Sequence, residues 1–283
     1  MTAASRRALV SLAGVLLAGA AVAQEAPKLV LPRPSPYATV KQTVGLTDIT
    51  VAYSSPAVKG RKIWGEVVPW DEVWRAGANE CSKVTFSTAV TIGGKSVAAG
   101  SYCIFLLPTR SGWTFILNKD TAQWGAYAYK PENDVLRVPA TATSIPARER
   151  LAFEVLDFGD GGGTLALEWD TLRVGVKFEL ATREAVLASI KALKTDEWRP
   201  YANAARYLLE TGTEPALALQ LIDRSISLKE DWYNLWVKAQ VLAAAGQKKE
   251  AVEVARRSQE LGKKEKNFPL ADDVAKAIAD WSK

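Results

Sequence analysis

The residues of this 283-residue chain that could do chemistry concentrate between Lys59 and Glu80. The stretch carries the carboxylates Glu66, Asp71, Glu72 and Glu80, the bases Lys59, Arg61, Lys62 and Arg75, and the indoles Trp64, Trp70 and Trp74. Two carboxylates flanking one glycosidic bond are what glycoside hydrolysis requires, and flat indole faces suit the stacking of sugar rings. The same residues have a plainer use, because acids beside bases form ion pairs on a loop and indoles plug the end of a β core. Within Trp74-Arg75-Ala76-Gly77-Ala78-Asn79-Glu80, Gly77 allows a tight turn. Arg75, Asn79 and Glu80 then either form a fixed network, with the Arg75 guanidinium tying backbone carbonyls to Glu80, or face outward to receive a polar ligand. The candidate ligand-binding residues are Lys59, Arg61, Trp64, Trp70, Trp74, Arg75, Asn79, Glu80, Trp124 and Tyr127, and none is assigned a catalytic role.

Composition removes several chemistries. The chain has no histidine, so Ser-His-Asp and Cys-His arrangements and imidazole metal sites are excluded. Its motifs ask for neither a metal nor a cofactor. The run Gly159-Asp160-Gly161-Gly162-Gly163 lacks a following Lys-Ser or Lys-Thr and lies between two strand patterns, so it reads as a hairpin loop and not as a phosphate cradle. The basic residues are interspersed with acids, which argues against nucleic acid as a partner. The two cysteines, Cys81 and Cys103, flank one hairpin-like segment; they are a candidate disulfide, with two small buried thiols as the alternative.

The elements that must position these residues fall in a clear order. Arg6 and Arg7 precede an apolar run from Ala8 that ends in Ala21-Val22-Ala23, the pattern of a secretory signal over residues 1–23 cut after Ala23. Loss of Arg6 and Arg7 takes the formal charge from +5 to +3. A periplasmic or secreted product with no transmembrane segment is expected. Residues 24–38, with Pro27, Pro32, Pro34 and Pro36, read as an extended tether. From 39 to 180 short strands alternate with turns: Thr39 to Val44, Ile49 to Tyr53, then Val84, Phe86, Val90 and Ile92 on one parity, Ile104 to Leu107, and Trp113 to Leu117. A Trp124 to Tyr129 segment, Val135 to Val138, Leu151 to Phe158, Thr164 to Trp169 and Leu172 to Leu180 complete the series. The pattern predicts an all-β antiparallel sandwich.

Beyond Leu180 the period changes to that of helices, from Ala181 to Lys283. An internal repeat aligns Ala205 with Ala239 and Gly212 with Gly246 at an offset of 34, and Ala218 with Ala251 and Ser225 with Ser258 at 33. The second copy resembles the tetratricopeptide pattern, without that family's proline near Gly262 and Lys263. Two degenerate repeats are expected between a helix at Ala181 to Leu193 and a last helix from Leu270 to Trp281.

Several motifs occur together and in order: Ser35-Pro36, Val44-Gly45, Tyr53-Ser54-Ser55-Pro56, Lys59-Gly60-Arg61, Trp64-Gly65, Val68-Pro69 and Trp74 to Glu80. They continue with Ala99-Gly100-Ser101-Tyr102, Trp124-Gly125-Ala126-Tyr127 and Asp134-Val135-Leu136-Arg137. Through them residues 35–180 resemble the bacterial family known as domain of unknown function 2911 (DUF2911). The resemblance implies an exported envelope protein with a helical tail and carries over no catalytic residue. The expected function is a non-enzymatic binding or scaffolding module whose helical tail receives a partner, an envelope protein or a glycan. The alternative is a carbohydrate-binding or carboxylate-dependent glycan-active protein working through the Lys59 to Glu80 loop.

Overall fold

The computed structural model describes residues 31–283. The signal sequence expected at 1–23 and the start of the Pro-rich lead lie outside the described residues. Nine strands and six α-helices follow among those described. The strands are β1 (Tyr37–Val44), β2 (Thr47–Ser54), β3 (Ser82–Phe86), β4 (Val90–Ile92), β5 (Lys95–Val97), β6 (Gly100–Thr109), β7 (Gly112–Asn118), β8 (Asp134–Gly159) and β9 (Gly162–Glu179). They form one antiparallel sheet in the order β1-β2-β3-β6-β7-β8-β9-β4-β5.

The period-2 pattern places the expected side chains inward. Ile49, Val51 and Tyr53 on β2, Val84 and Phe86 on β3, and Val90 and Ile92 on β4 all enter the main core. β6 is apolar on both faces, and both are covered: Ile104 and Leu106 join the main core, while Cys103 and Phe105 pack on the opposite face with Ile116 and Cys81. Gly159 pairs with Gly162, so Asp160 and Gly161 make the hairpin turn between β8 and β9.

Two expectations change. β8 is one strand where two were expected, because its middle, Ala140 to Arg150, is mostly exposed and offers no apolar rhythm. Its first part pairs with β7 as far as Ala140, its remainder pairs with β9 from Thr141, and the register shifts on either side of Arg148. β9 likewise fuses two expected strands, with Asp170 at φ 52 marking the irregularity between them. The end of β2 returns to the middle of β8: Leu151 N donates to Pro56 O at 3.0 Å, and Tyr53 meets Phe153 edge to face at 5.1 Å. Residues 33–36 are not a free tether. Arg150 Nη1 donates to Pro34 O at 3.2 Å and Ser55 N to Pro36 O at 2.8 Å, so the lead is fastened across the sheet edge.

The helices are α1 (Thr182–Lys191), α2 (Trp198–Glu210), α3 (Pro215–Leu228), α4 (Trp232–Ala244), α5 (Lys248–Gly262) and α6 (Ala271–Trp281). The internal repeat has a physical basis. Ala205, Ala218, Ala239 and Ala251 are all buried where paired helices meet. Ser225 Oγ donates to Trp198 O at 2.8 Å, and Ser258 Oγ donates to Trp232 O at 2.7 Å. Each buried hydroxyl thus satisfies a carbonyl at the start of the preceding helix, and the bond recurs in both pairs α2–α3 and α4–α5. Gly212 and Gly246, at φ 63 and 81, close the first helix of each pair in the left-handed conformation that glycine takes without strain.

Candidate functional site

The Lys59 to Glu80 loop is held at both ends by the sheet. At its start, Val58 N donates to Glu149 O at 2.8 Å and Lys59 N to Glu149 Oε1 at 2.9 Å. Near its end, β3 begins only at Ser82, which leaves the neighbouring edge of β6 unpaired beyond Ile104. The loop fills that gap: Trp74 and Leu106 exchange N–H to O bonds of 2.8 Å each, and Asp71 N donates to Pro108 O at 2.8 Å. Arg61 turns back on the backbone, its guanidinium donating to Ala57 O and Val58 O.

This anchoring drives the indoles inward. Trp74 is buried and stacked on Trp169 at 5.9 Å, while Trp64 stands edge-on to Trp74, Trp113 and Trp169 at 6.1, 5.2 and 6.0 Å. Trp70 reaches Trp113 at 6.3 Å and lies so close over Gly65, at φ 91, that a β-carbon there would sit 2.6 Å from its indole nitrogen. Trp113 and Trp169 complete the cluster and were not among the sequence candidates. Their strand parity is the signal that could have placed them beside the loop.

The carboxylates do not gather round these rings. Glu66 is exposed and paired with Lys62 at 3.1 Å, Asp71 and Glu72 are exposed, and Glu80 pairs with Arg33 at 3.6 Å. A cleft of about 490 Å³ opens beside Glu80, lined also by Arg33, Tyr37, Tyr53, Ser54 and Lys83, and among the described residues Glu80 is the single carboxylate in its lining. Acid–base glycoside hydrolysis needs two. Among the described residues no group of three His, Cys, Asp or Glu side chains is placed to hold a metal ion.

Arg75 departs most from expectation. The anticipated bond to Glu80 is absent; Glu80 is exposed and pairs with Arg33 at 3.6 Å instead. The Arg75 Nε is buried and, among the described residues, has no hydrogen-bond partner. Burial presses its pKa below the usual guanidinium value and Tyr127 partly offsets this, yet the group remains cationic at neutral pH. The turn expected at Gly77 is made by Ala76 and Asn79, at φ 51 and 60. Gly77 serves close approach instead, since a β-carbon there would lie 2.6 Å from Ser82 Oγ. Asn79 Nδ2 donates to Ser54 Oγ at 3.1 Å, fixing the strained segment to β2.

Trp124 and Tyr127 lie on a turn, where sequence alone suggested a strand-like segment, and a polar network fixes it from below. Asn118, fully buried, donates to Asp134 Oδ1 at 2.9 Å and to Lys130 O at 3.1 Å, and accepts from Gln123 Nε2 at 3.0 Å. Tyr129 donates to Asp134 Oδ2 at 2.6 Å and accepts from Arg137 at 2.8 Å. Burial and the Asp134 bond push the Tyr129 phenol up, which keeps its proton in place. The turn is tied to the Arg75 segment by Gly125 N to Asn79 O at 3.0 Å and Cys81 N to Gln123 O at 3.1 Å. Beneath it Cys81 is joined to Cys103 across neighbouring strands, with Cα atoms 5.7 Å apart. The exposed rings of Trp124 and Tyr127 are therefore presented on a hydrogen-bonded base beside the end of the Arg75 to Glu80 segment, with Tyr127 near enough to act on the Arg75 charge.

A second concave surface lies in the helices. A groove of about 530 Å³ is lined by α2, α4 and α6, with Tyr233, Trp236 and Trp281 among its apolar residues. Trp236 and Trp281 stack at 5.8 Å, Arg206 pairs with Glu210 at 2.6 Å, and Asp273 and Lys276 also line it.

No curated protein and no solved structure matches the chain. Residues 35–178, which carry the loop, the turn and all the strands that hold them, match the family model described as "Protein of unknown function (DUF2911)", and the chain belongs to that family.

Proposed function

We propose that this is an exported, non-enzymatic binding or scaffolding protein whose helical tail receives a polypeptide partner. The observation that carries the reading is the groove across α2, α4 and α6, where stacked Trp236 and Trp281 give an apolar floor beside charged residues of both signs. An apolar anchor flanked by charges is how grooves take peptide segments. The repeated Ser225 and Ser258 bonds and the equivalent buried alanines support a tetratricopeptide-like tail with α6 continuing the inner row. The contact of β2 with the middle of β8, over one shared core, supports a β-sandwich in which the long sheet doubles over itself. The Ala21-Val22-Ala23 site and the paired cysteines support export to the periplasm or beyond.

Trp74 is buried, Trp64 and Trp70 are half-buried against the same core, and Glu66, Asp71 and Glu72 are exposed, which weighs against glycan cleavage at the loop. The test is site-specific photo-crosslinking of the full chain in its own cells. A photo-reactive residue in place of Gln240, in the groove, is expected to capture a discrete protein that the same residue in place of Lys249, on exposed α5, does not. Equal capture at both positions, or none at Gln240, overturns the reading.

A further inference from the structure

The patch made by Arg75 and the Trp124–Tyr127 turn is unexplained by the helical groove and does not depend on it. A half-buried guanidinium without an ion-pair partner among the described residues is costly, since burial of a charge is ordinarily offset by a counter-charge. The carboxylate expected to pair with it, Glu80, is exposed and pairs with Arg33. Tyr127 is near enough to act on the Arg75 charge, and Trp124 bridges Glu80 at the end of the same segment; the two rings are exposed, Trp124 59% and Tyr127 90%. Exposed rings on a mobile loop would mean little. These sit on a turn fixed by the buried Asn118 hub, the Gln123 and Tyr129 hydrogen bonds and the Cys81–Cys103 link. Tyr127 lies over Gly125, at φ 69, where a β-carbon would come within 2.8 Å of its ring. The Arg75 segment bears two left-handed non-glycine residues, Ala76 and Asn79, a form of strain that clusters where geometry serves a ligand.

We propose that Arg75, Trp124 and Tyr127 form a binding site for an acidic polysaccharide, the guanidinium pairing with a sugar carboxylate while the two rings receive neighbouring sugar faces. Three features select this class. With Arg33 paired with Glu80, Arg75 matches one carboxylate better than a phosphate monoester, which carries nearly two charges. The planar guanidinium fork fits a carboxylate with two parallel bonds. The rings stand on open surface, whereas small ligands need a cleft that encloses most of their area, so an extended chain laid across the rings suits the site better.

The test is calorimetric titration of the full mature chain with oligogalacturonate, alongside a neutral maltooligosaccharide and a polyglutamate peptide. Oligogalacturonate alone is expected to bind. Arg75→Gln should weaken it by about tenfold or more, as should the pair Trp124→Ala with Tyr127→Ala. The two aromatic substitutions remove exposed rings and leave the fold intact, which thermal melts will show, so they decide the matter if Arg75→Gln fails to fold. Arg75→Lys, which keeps the charge but loses the fork, should fall between parent and Arg75→Gln. The proposal is overturned if oligogalacturonate does not bind, if these variants bind it as the parent does, or if the neutral sugar or the peptide binds equally well.

Discussion

The Lys59 to Glu80 loop and the Trp124–Tyr127 turn both present large aromatic residues beside charge, and the fold treats them in opposite ways. In the loop, Trp74 joins the core and Trp64 and Trp70 pack half-buried against it, meeting Trp113 from β7 and Trp169 from β9. In the turn, the backbone is fixed by Asn118, Gln123 and Asp134 while the rings are left outside. The difference lies in what each segment is tied to. The loop takes the vacant place beside β6 and its rings fall towards strand side chains, whereas the turn is anchored through polar groups beneath it. Aromatic residues in a loop thus acquire meaning only from their supports. Buried among rings they are stability, and exposed on a rigid base they are a surface.

The largest expected effect tests the loop half of this contrast. Trp169→Ala removes a fully buried indole from between Trp64 and Trp74 and should cost about 3–5 kcal/mol in denaturant unfolding, against about 0.5 kcal/mol or less for Trp124→Ala. Similar losses at the two positions would abolish the distinction. Next comes the support of the turn. Replacing Cys81 and Cys103 by serine opens a link spanning 22 residues and should cost about 3 kcal/mol, with amide exchange rising first between Asp120 and Tyr129. Uniform exchange along the chain would mean that the link does not fix the turn.

A smaller effect comes from β8 and β9, which hold Trp169 in place. Burial pushes Glu168 up, but hydrogen bonds from Arg173 and Arg148 outweigh it and hold the carboxyl below its usual range. Its folded pKa is therefore the lower one, so the stabilisation is complete above the ordinary glutamate value of about 4.3 and is lost as pH falls through the folded value. Glu168→Gln should cost about 2 kcal/mol at neutral pH and flatten the acid limb of the stability profile. An acid limb identical to the parent's would remove Glu168 from this account.

The smallest effect sharpens the turn half. Among the described residues Arg75 has no partner to strand and its burial is a cost, so Arg75→Met should leave the melting temperature at or slightly above the parent's. A fall of several degrees would restore the structural network that the sequence suggested for Arg75.

Much of this architecture was legible beforehand. Alternation placed Ile49, Val51, Val84 and Phe86 in the core because a strand's side chains change face at every residue. The recurrence of Ala205, Ala218 and Ser225 at Ala239, Ala251 and Ser258 exposed the helix pairs because only small residues fit where helices approach closely. The DUF2911 motifs marked both the loop and the turn. Less legible were the unbroken β8, whose exposed middle is held by backbone pairing that leaves no side-chain pattern, and the docking of residues 33–36, which uses backbone oxygens.

The sequence by itself determined the strand-to-helix division near Leu180, the repeat in the tail and the concentration of indoles and charge before Glu80, since these depend on local period and composition. Only the tertiary structure decided the partners: Glu80 went to Arg33 and not to Arg75, and Trp64 and Trp74 found Trp169, about a hundred residues on. Ion pairs and ring contacts are short-ranged and joined across the chain by strand register. Their members can be recognised from residue type, but their pairing follows from which strand ends the sheet brings together.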